Sequence, residues 1–260
     1  MTRAAALPLA GRRLLLTRRP EQSAELRERL AGLGADVVDV PAIEVVAPDD
    51  VAPLDAALRR LDRYNWLLFT SANAARSVAS WMAARGLEPG TALAGVRVGS
   101  VGPGTSEAIR RSWPGVEVAA QPESEFRAEG LLAALGSDVA GLTVLLPTSD
   151  RARDLLPEAL RARGARVDVV VAYRTVVAPE LGTRLADALA RGVDRLVFAS
   201  PSAVGEVGAA LGARARGLPV AVIGPVTERA ARAAGFDVRA VAAPSTVEGL
   251  VAALLRDAAS

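Results

Sequence analysis

The sequence predicts an α/β protein built from two similar doubly wound parallel-sheet domains, and three observations carry that prediction. Short Val- and Leu-rich runs alternate with amphipathic helical stretches along the chain, as parallel strands covered on both faces and joined by right-handed crossovers require. Most of the chain is written twice: Gly11 to Val46 aligns with Gly141 to Val176 at an offset of 130, and Val101 to Leu135 with Ile223 to Leu255 at an offset near 122. Two copies are too few for a solenoid, which leaves two similar domains or a pseudo-symmetric pair. Lastly, "VVDVPAIEVVAP" (Val37 to Pro48) and "VVVAYRTVVAP" (Val169 to Pro179) sit at matched places in the copies. Neither has a helix in its middle, so they read as a paired linker.

Taken in order, strands are expected at Arg13–Thr17, Trp66–Thr70, Arg97–Val101, Val116–Ala119, Thr143–Leu146, Arg195–Ala199, Val220–Ile223 and Val238–Val241. Each is a nearly continuous apolar run. Between them, Leu26, Leu30 and Leu33 fall at helical spacing, as do Leu155, Leu156 and Leu160, with charges elsewhere. One strand-to-helix edge recurs in register: "WLLFTSANAARSV" (Trp66 to Val78) returns as "RLVFASPSAVGEV" (Arg195 to Val207), Phe69 answering Phe198 and Ser71 answering Ser200.

Composition removes whole classes of chemistry. Among 260 residues, 51% of them hydrophobic, there is no Cys, no His and no Lys, so all 31 basic residues are Arg. That leaves no disulfide, thiol nucleophile, His-based triad, ordinary zinc site, Schiff-base lysine or P-loop lysine. Any chemistry runs on Asp, Glu, Tyr, Ser, Thr, Arg and backbone amides. No run approaches the roughly 18 apolar residues of a membrane helix, and the opening residues lack a signal-peptide core; a soluble, cytoplasmic protein with no membrane partner is expected. The net charge is only +2, but guanidinium grips carboxylates and phosphates two-pronged, so an anionic small molecule is a plausible partner. Nucleic acid is not: the arginines are interleaved with 29 acids, and few aromatics are available for stacking.

In doubly wound folds ligands bind where strands end and helices begin. Ser71 and Ser200 lie there, each a good helix N-cap, and a helix N-terminus is also an anion site. "VGPGTSEA" and "IGPVTERA" repeat the logic: a strand ends, Gly102 or Gly224 turns, Pro starts the helix, and Thr105 or Thr227 offers a hydroxyl beside free N–H groups. The pattern does not fit G-x-G-x-x-G, so it is not a dinucleotide fingerprint. "PSTVEGL" (Pro244 to Leu250) reads as a structural capping box of Ser245 with Glu248. Tyr173 in "VVAYRTV" is either packing or the remaining candidate for chemistry, and Arg18 either a solvated surface residue or a ligand at the same edge as the serines.

"LLLTRRPEQSAEL", "FTSANAA", "VGPGTSEAI", "VVAYRTV", "FASPSAV" and "IGPVTERAARAAGFDV", in this order from about Gly11 to Leu255, resemble bacterial uroporphyrinogen-III synthase. Ala199 and Val226 depart from the family pattern. The resemblance implies two α/β domains joined by a two-stranded β-ladder linker: a discontinuous domain of 1–40 and 175–260, a second of 44–172, and linker strands near 37–48 and 169–179. It implies an anionic linear tetrapyrrole substrate, hydroxymethylbilane, closed with inversion of its last ring through a spirocyclic intermediate. No metal and no cofactor is needed. Tyr173 matches the family's linker tyrosine and becomes the expected proton donor. Arg18, Ser71, Asn73, Gly102, Thr105, Arg151, Arg153, Ser200, Ser202, Gly224 and Thr227 become the expected carboxylate-binding set. A monomer is expected, with at most a transient contact with the preceding pathway enzyme. A non-catalytic sensor that closes on an anionic molecule would account for the repeat and the anion sites equally well.

Overall fold

A computed structural model describes residues 7–136, 139–152 and 155–259. Its strands are β1 (Arg13–Leu16), β2 (Asp36–Asp39), β3 (Ile43–Val46), β4 (Trp66–Phe69), β5 (Arg97–Ser100), β6 (Val118–Ala120), β7 (Thr143–Ser149), β8 (Arg166–Val177), β9 (Arg195–Phe198), β10 (Pro219–Val222) and β11 (Asp237–Val241). Its α-helices are α1 (Pro20–Gly32), α2 (Ala52–Leu58), α3 (Ala72–Ala83), α4 (Pro89–Ala92), α5 (Pro103–Ser112), α6 (Ala128–Ala134), α7 (Leu155–Ala162), α8 (Leu181–Ala190), α9 (Pro201–Leu211), α10 (Pro225–Ala233) and α11 (Val247–Ala258). The chain divides into two compact units, residues 1–44 with 176–260 and residues 45–175.

Unit 1 holds a five-stranded sheet in the order β11-β10-β9-β1-β2. Its pairings are parallel, with Leu15 at the centre opposite Val38 on one side and Leu196 on the other. Alternate residues of these strands point to opposite faces, so each face needs its own cover. Leu15, Phe198, Val220 and Val222 pack with Val204 and Val207 of α9 and Leu185 of α8. Leu14, Leu16 and Val197 pack on the other face with Leu26 and Leu30 of α1 and Leu250 and Leu254 of α11. Of the leucines set at helical spacing, Leu33 caps the end of α1 and is only half-buried.

In unit 2 the strand order is β3-β8-β7-β4-β5-β6. β4 pairs parallel with β5 and β7, and β7 with β8. Phe69, Leu67, Val98 and Leu145 pack with Val78, Trp81 and Met82 of α3 and Ile109 of α5. Trp66, Leu68, Val144 and Leu146 pack with Leu131 of α6 and Leu156 and Leu160 of α7. Leu155 falls outside this core, 45% exposed at the start of α7.

Three sequence expectations need correction. Val37 to Pro48 is not one extended linker segment. Its first part is β2, a full member of the unit 1 sheet paired residue for residue with β1; the chain then breaks around Pro41, and β3 joins β8 in the other sheet. Likewise β8 starts at Arg166, and its first half is an ordinary parallel strand against β7 up to a bulge near Tyr173. The capping box also moves by one residue: Thr246, not Ser245, is the N-cap of α11, its hydroxyl accepting from Gly249 N at 3.1 Å.

Candidate active site

The carboxyl ends of unit 2's strands bring several expected residues together. Phe69 and Ser100 end adjacent paired strands, and Val101 N donates to Phe69 O at 2.9 Å, so the turns into α3 and α5 lie side by side. Ser71 has extended backbone and caps α3, its Oγ accepting from Ala74 N at 3.1 Å. The same Oγ lies 3.0 Å from the Tyr173 hydroxyl. Two hydrogen bonds therefore meet in one atom: Oγ accepts the helix N–H and shares a hydrogen bond with the tyrosine hydroxyl. Tyr173 is 7% exposed, its ring part of the core and its hydroxyl directed at Ser71. Its carbonyl accepts from Asp150 N at 3.3 Å, which ties the turn after β7 to β8.

The chain's other tyrosine is placed elsewhere. Tyr64 donates its hydroxyl to Asp168 Oδ2 at 2.7 Å, near the opposite ends of the strands. Burial, reinforced by that carboxylate, pushes its pKa far above the ordinary tyrosine value, so the hydroxyl stays protonated.

Gly102 precedes Pro103, the first residue of α5, and its carbonyl accepts from both Thr105 N and Ser106 N at 3.0 Å. Thr105 is buried at 6% exposure in the first turn of α5. Asn73 is half-buried in the first turn of α3, and its Oδ1 accepts from Arg76 Nη2 at 2.6 Å. Arg151 is exposed just past β7, with its N–H on Ser149 Oγ at 3.3 Å. Arg153 lies outside the described residues.

Unit 1 repeats the edge with less chemistry. Ser200 caps α9, accepting from Ala203 N at 3.3 Å. Ile223 N donates to Phe198 O at 2.9 Å, which sets Gly224 and the start of α10 beside it. Thr227 is 3% exposed, buried like Thr105, while Ser202 and Val226 are exposed. Arg18 is exposed directly after Thr17, whose hydroxyl donates to Val197 O at 2.8 Å. Pro201 and Pro225 start their helices because a proline's missing N–H costs nothing in the first turn.

Residues that sequence reasoning passed over complete the picture. Ser106 and Ser100 share a buried hydroxyl pair at 2.5 Å, and Ser106 donates to Gln121 Oε1 at 2.5 Å, fixing the β5–α5 turn from below. Buried hydroxyls in pairs leave no simple pattern in a sequence. Arg174, next to Tyr173, pairs with Asp49 at 2.7 Å while its buried Nε finds no partner among the described residues. No group of three or more carboxylates is placed to hold a metal ion, and no helix is long and apolar enough to cross a membrane, among the described residues.

Comparison with known proteins gives this geometry its family. Residues 24–252 match the sequence profile described as Uroporphyrinogen-III synthase HemD. The uroporphyrinogen-III synthase of Synechococcus elongatus is 29% identical over 257 residues, 95% of this chain and 96% of that protein. A mutant uroporphyrinogen III synthase from the extremely thermophilic bacterium Thermus thermophilus shares the fold with a TM-score of 0.61 at 22% identity, covering 95% of this chain and 98% of its own. The uroporphyrinogen-III synthetase of Helicobacter pylori 26695 does so with a TM-score of 0.60 at 14% identity, over 94% and 99%. With the family profile matched over most of its length, the chain belongs to the uroporphyrinogen-III synthase family.

Proposed function

We propose that this chain closes hydroxymethylbilane to uroporphyrinogen III, inverting the last ring and releasing water, as a cytoplasmic monomer. The observation that carries this reading is the 3.0 Å contact between Ser71 Oγ and Tyr173 Oη at the carboxyl edge of unit 2. Loss of the substrate hydroxyl needs a proton as the C–O bond breaks, and a tyrosine held by a serine that also engages a helix N–H is a positioned donor. The new C–C bond then forms at the substituted carbon of the last ring, giving a spirocycle; the original bond from that carbon to its bridge carbon breaks, and the bridge carbon rejoins the ring at its free α-carbon, which releases a proton to balance the one spent on the departing water. Free hydroxymethylbilane closes without inversion, so the enzyme's task is to hold the chain in the conformer that reacts at that carbon.

A substrate with eight carboxylates suits a protein whose cations are all guanidinium. Arg18 and one of Arg151 or Arg153 supply charge-assisted bonds in this reading. The first turns beginning at Ser71, Gly102, Ser200 and Gly224 supply backbone donors, with Asn73 and Ser202 alongside. Thr105 and Thr227, in the first turns of α5 and α10, belong to the same carboxylate-binding set in this reading.

The test is product analysis. Purified protein is given enzymatically generated hydroxymethylbilane, the products are oxidised, and uroporphyrins I and III are separated. Predominant isomer III is expected; isomer I alone overturns the reading and leaves a binding protein in its place. Tyr173→Phe is expected to lower kcat by about 10²-fold or more if it is the acid, whereas full turnover would remove it from that role.

A further inference from the structure

The chain has three tryptophans, two tyrosines and four phenylalanines. All of them are buried except Phe126, which is 49% exposed in the segment between β6 and α6. An aromatic ring left in water forgoes the largest burial gain available to a side chain. Its location is not arbitrary. A Cβ at Gly102 would lie 3.0 Å from both Cβ and Cδ1 of Phe126, so the ring rests on the α-carbon of the turn between β5 and α5. Gly102 has extended backbone, φ 167°, which any residue adopts. A Cβ there would press on Phe126, so glycine leaves the space that the Phe126 side chain fills.

The second copy makes the same arrangement with different chemistry. Gly224, the matched glycine before α10, is covered by Ser245, whose hydroxyl occupies the position a Cβ would need. Glu129-Gly130-Leu131 and Glu248-Gly249-Leu250 bring Phe126 and Ser245 into register. One scaffold thus presents an aromatic wall at one site edge and a hydroxyl at the other. A hydroxyl suits a carboxylate, and a ring suits a ring.

We infer that Phe126 is a substrate-contacting residue, its open face stacking on a flat, electron-rich pyrrole ring at the carboxyl edge of unit 2. This rests on the synthase reading above. Offset or edge-on packing of aromatic rings adds affinity beyond the area it buries, and an exposed ring fixed at its base by Gly102 is organised for it before the ligand arrives.

The experiment compares Phe126→Ala, Phe126→Leu and Phe126→Tyr in the full chain, measuring kcat and KM for hydroxymethylbilane and Kd for uroporphyrin III by fluorescence. Phe126→Ala is expected to raise KM and Kd by about 5- to 10-fold, with Phe126→Tyr returning both to near wild type and Phe126→Leu only partway. Thermal midpoints should stay together, since the ring is exposed. An unchanged KM in Phe126→Ala, or full recovery in Phe126→Leu, overturns the stacking role. Were the wild type to form only isomer I, the synthase reading would fall by itself, and the uroporphyrin series would still decide: equal or absent binding in wild type and Phe126→Ala overturns the inference, and weaker binding in Phe126→Ala upholds it.

Discussion

Unit 1 and unit 2 share one five-strand plan, β11-β10-β9-β1-β2 in the first and β6-β5-β4-β7-β8 in the second, to which unit 2 adds β3. What they hold in common is scaffold. Phe69 tilts against Trp113 with ring centroids 5.6 Å apart, and Phe198 against Phe236 at 5.2 Å. Before β4, Asn65 Oδ1 accepts from Thr143 N at 2.8 Å; before β9, Asp194 Oδ2 accepts from Arg13 N at 2.7 Å. Divergence is concentrated at the carboxyl edges, where Ser71 meets Tyr173 while Ser200 only caps, and where Phe126 stands in place of Ser245. Duplication has kept the bonds that register the strands and let the carboxyl edges differ.

If the plans are equivalent, matched core substitutions should cost alike. Phe69→Ala and Phe198→Ala, both fully buried, are each expected to lose about 3–5 kcal/mol in denaturant unfolding. A pair differing by more than half would break the equivalence. Next come Gly130 and Gly249, where a Cβ would run into the carbonyls of Glu125 and Pro244. Alanine at either should cost about 1–3 kcal/mol, because backbone cannot swing aside. Gly102→Ala instead displaces an exposed side chain, and should lower stability less than either.

The clasp before β4 and β9 separates the units by charge. Asp194→Ala should lose about 2 kcal/mol at neutral pH and Asn65→Ala about 1 kcal/mol, since hydrogen bonds to an ionised acceptor are the stronger. The Arg13 N–H, with help from Arg12, holds the Asp194 carboxyl below its usual range. A depressed folded-state pKa means stability present above the unfolded value and lost as pH falls through the folded one. The Asp194→Ala deficit should therefore shrink below about pH 4, while that of Asn65→Ala stays level. Melting curves of both variants from pH 7 to pH 3 check this, and a shared pH trend would deny the distinction. Smallest are the caps: Ser71→Ala and Ser200→Ala should each cost about 1 kcal/mol. The former should lower kcat more, because it alone also unseats Tyr173; equal kinetic effects would argue that the hydrogen bond is idle.

Much of this was legible beforehand because it depends on local pattern. β1, β4, β5, β9, β10 and β11 fall within a residue of the apolar runs, since a strand covered on both faces must be apolar throughout. β2 escaped because it is an edge strand, half-buried along most of its length and followed directly by another extended segment with only Pro41 between. Ser71 and Ser200 were visible as caps, but the bond to Tyr173 joins positions 102 residues apart. Phe126 drew no notice in the sequence, because what marks it is exposure and the glycine beneath it.

The position of β1 has a consequence for how the chain is made. β1 and β2 leave the ribosome ahead of the other strands of their sheet, yet β1's neighbour on its inner side is β9, with Leu15 opposite Leu196. Residues 45–175 form one continuous unit and can close as soon as they emerge. Until β9 arrives, one edge of β1 has its partner still unsynthesised, and domains generally fold as units. The later-starting unit can thus mature first, while β1, with β2 as its one sheet neighbour already made, waits for β9.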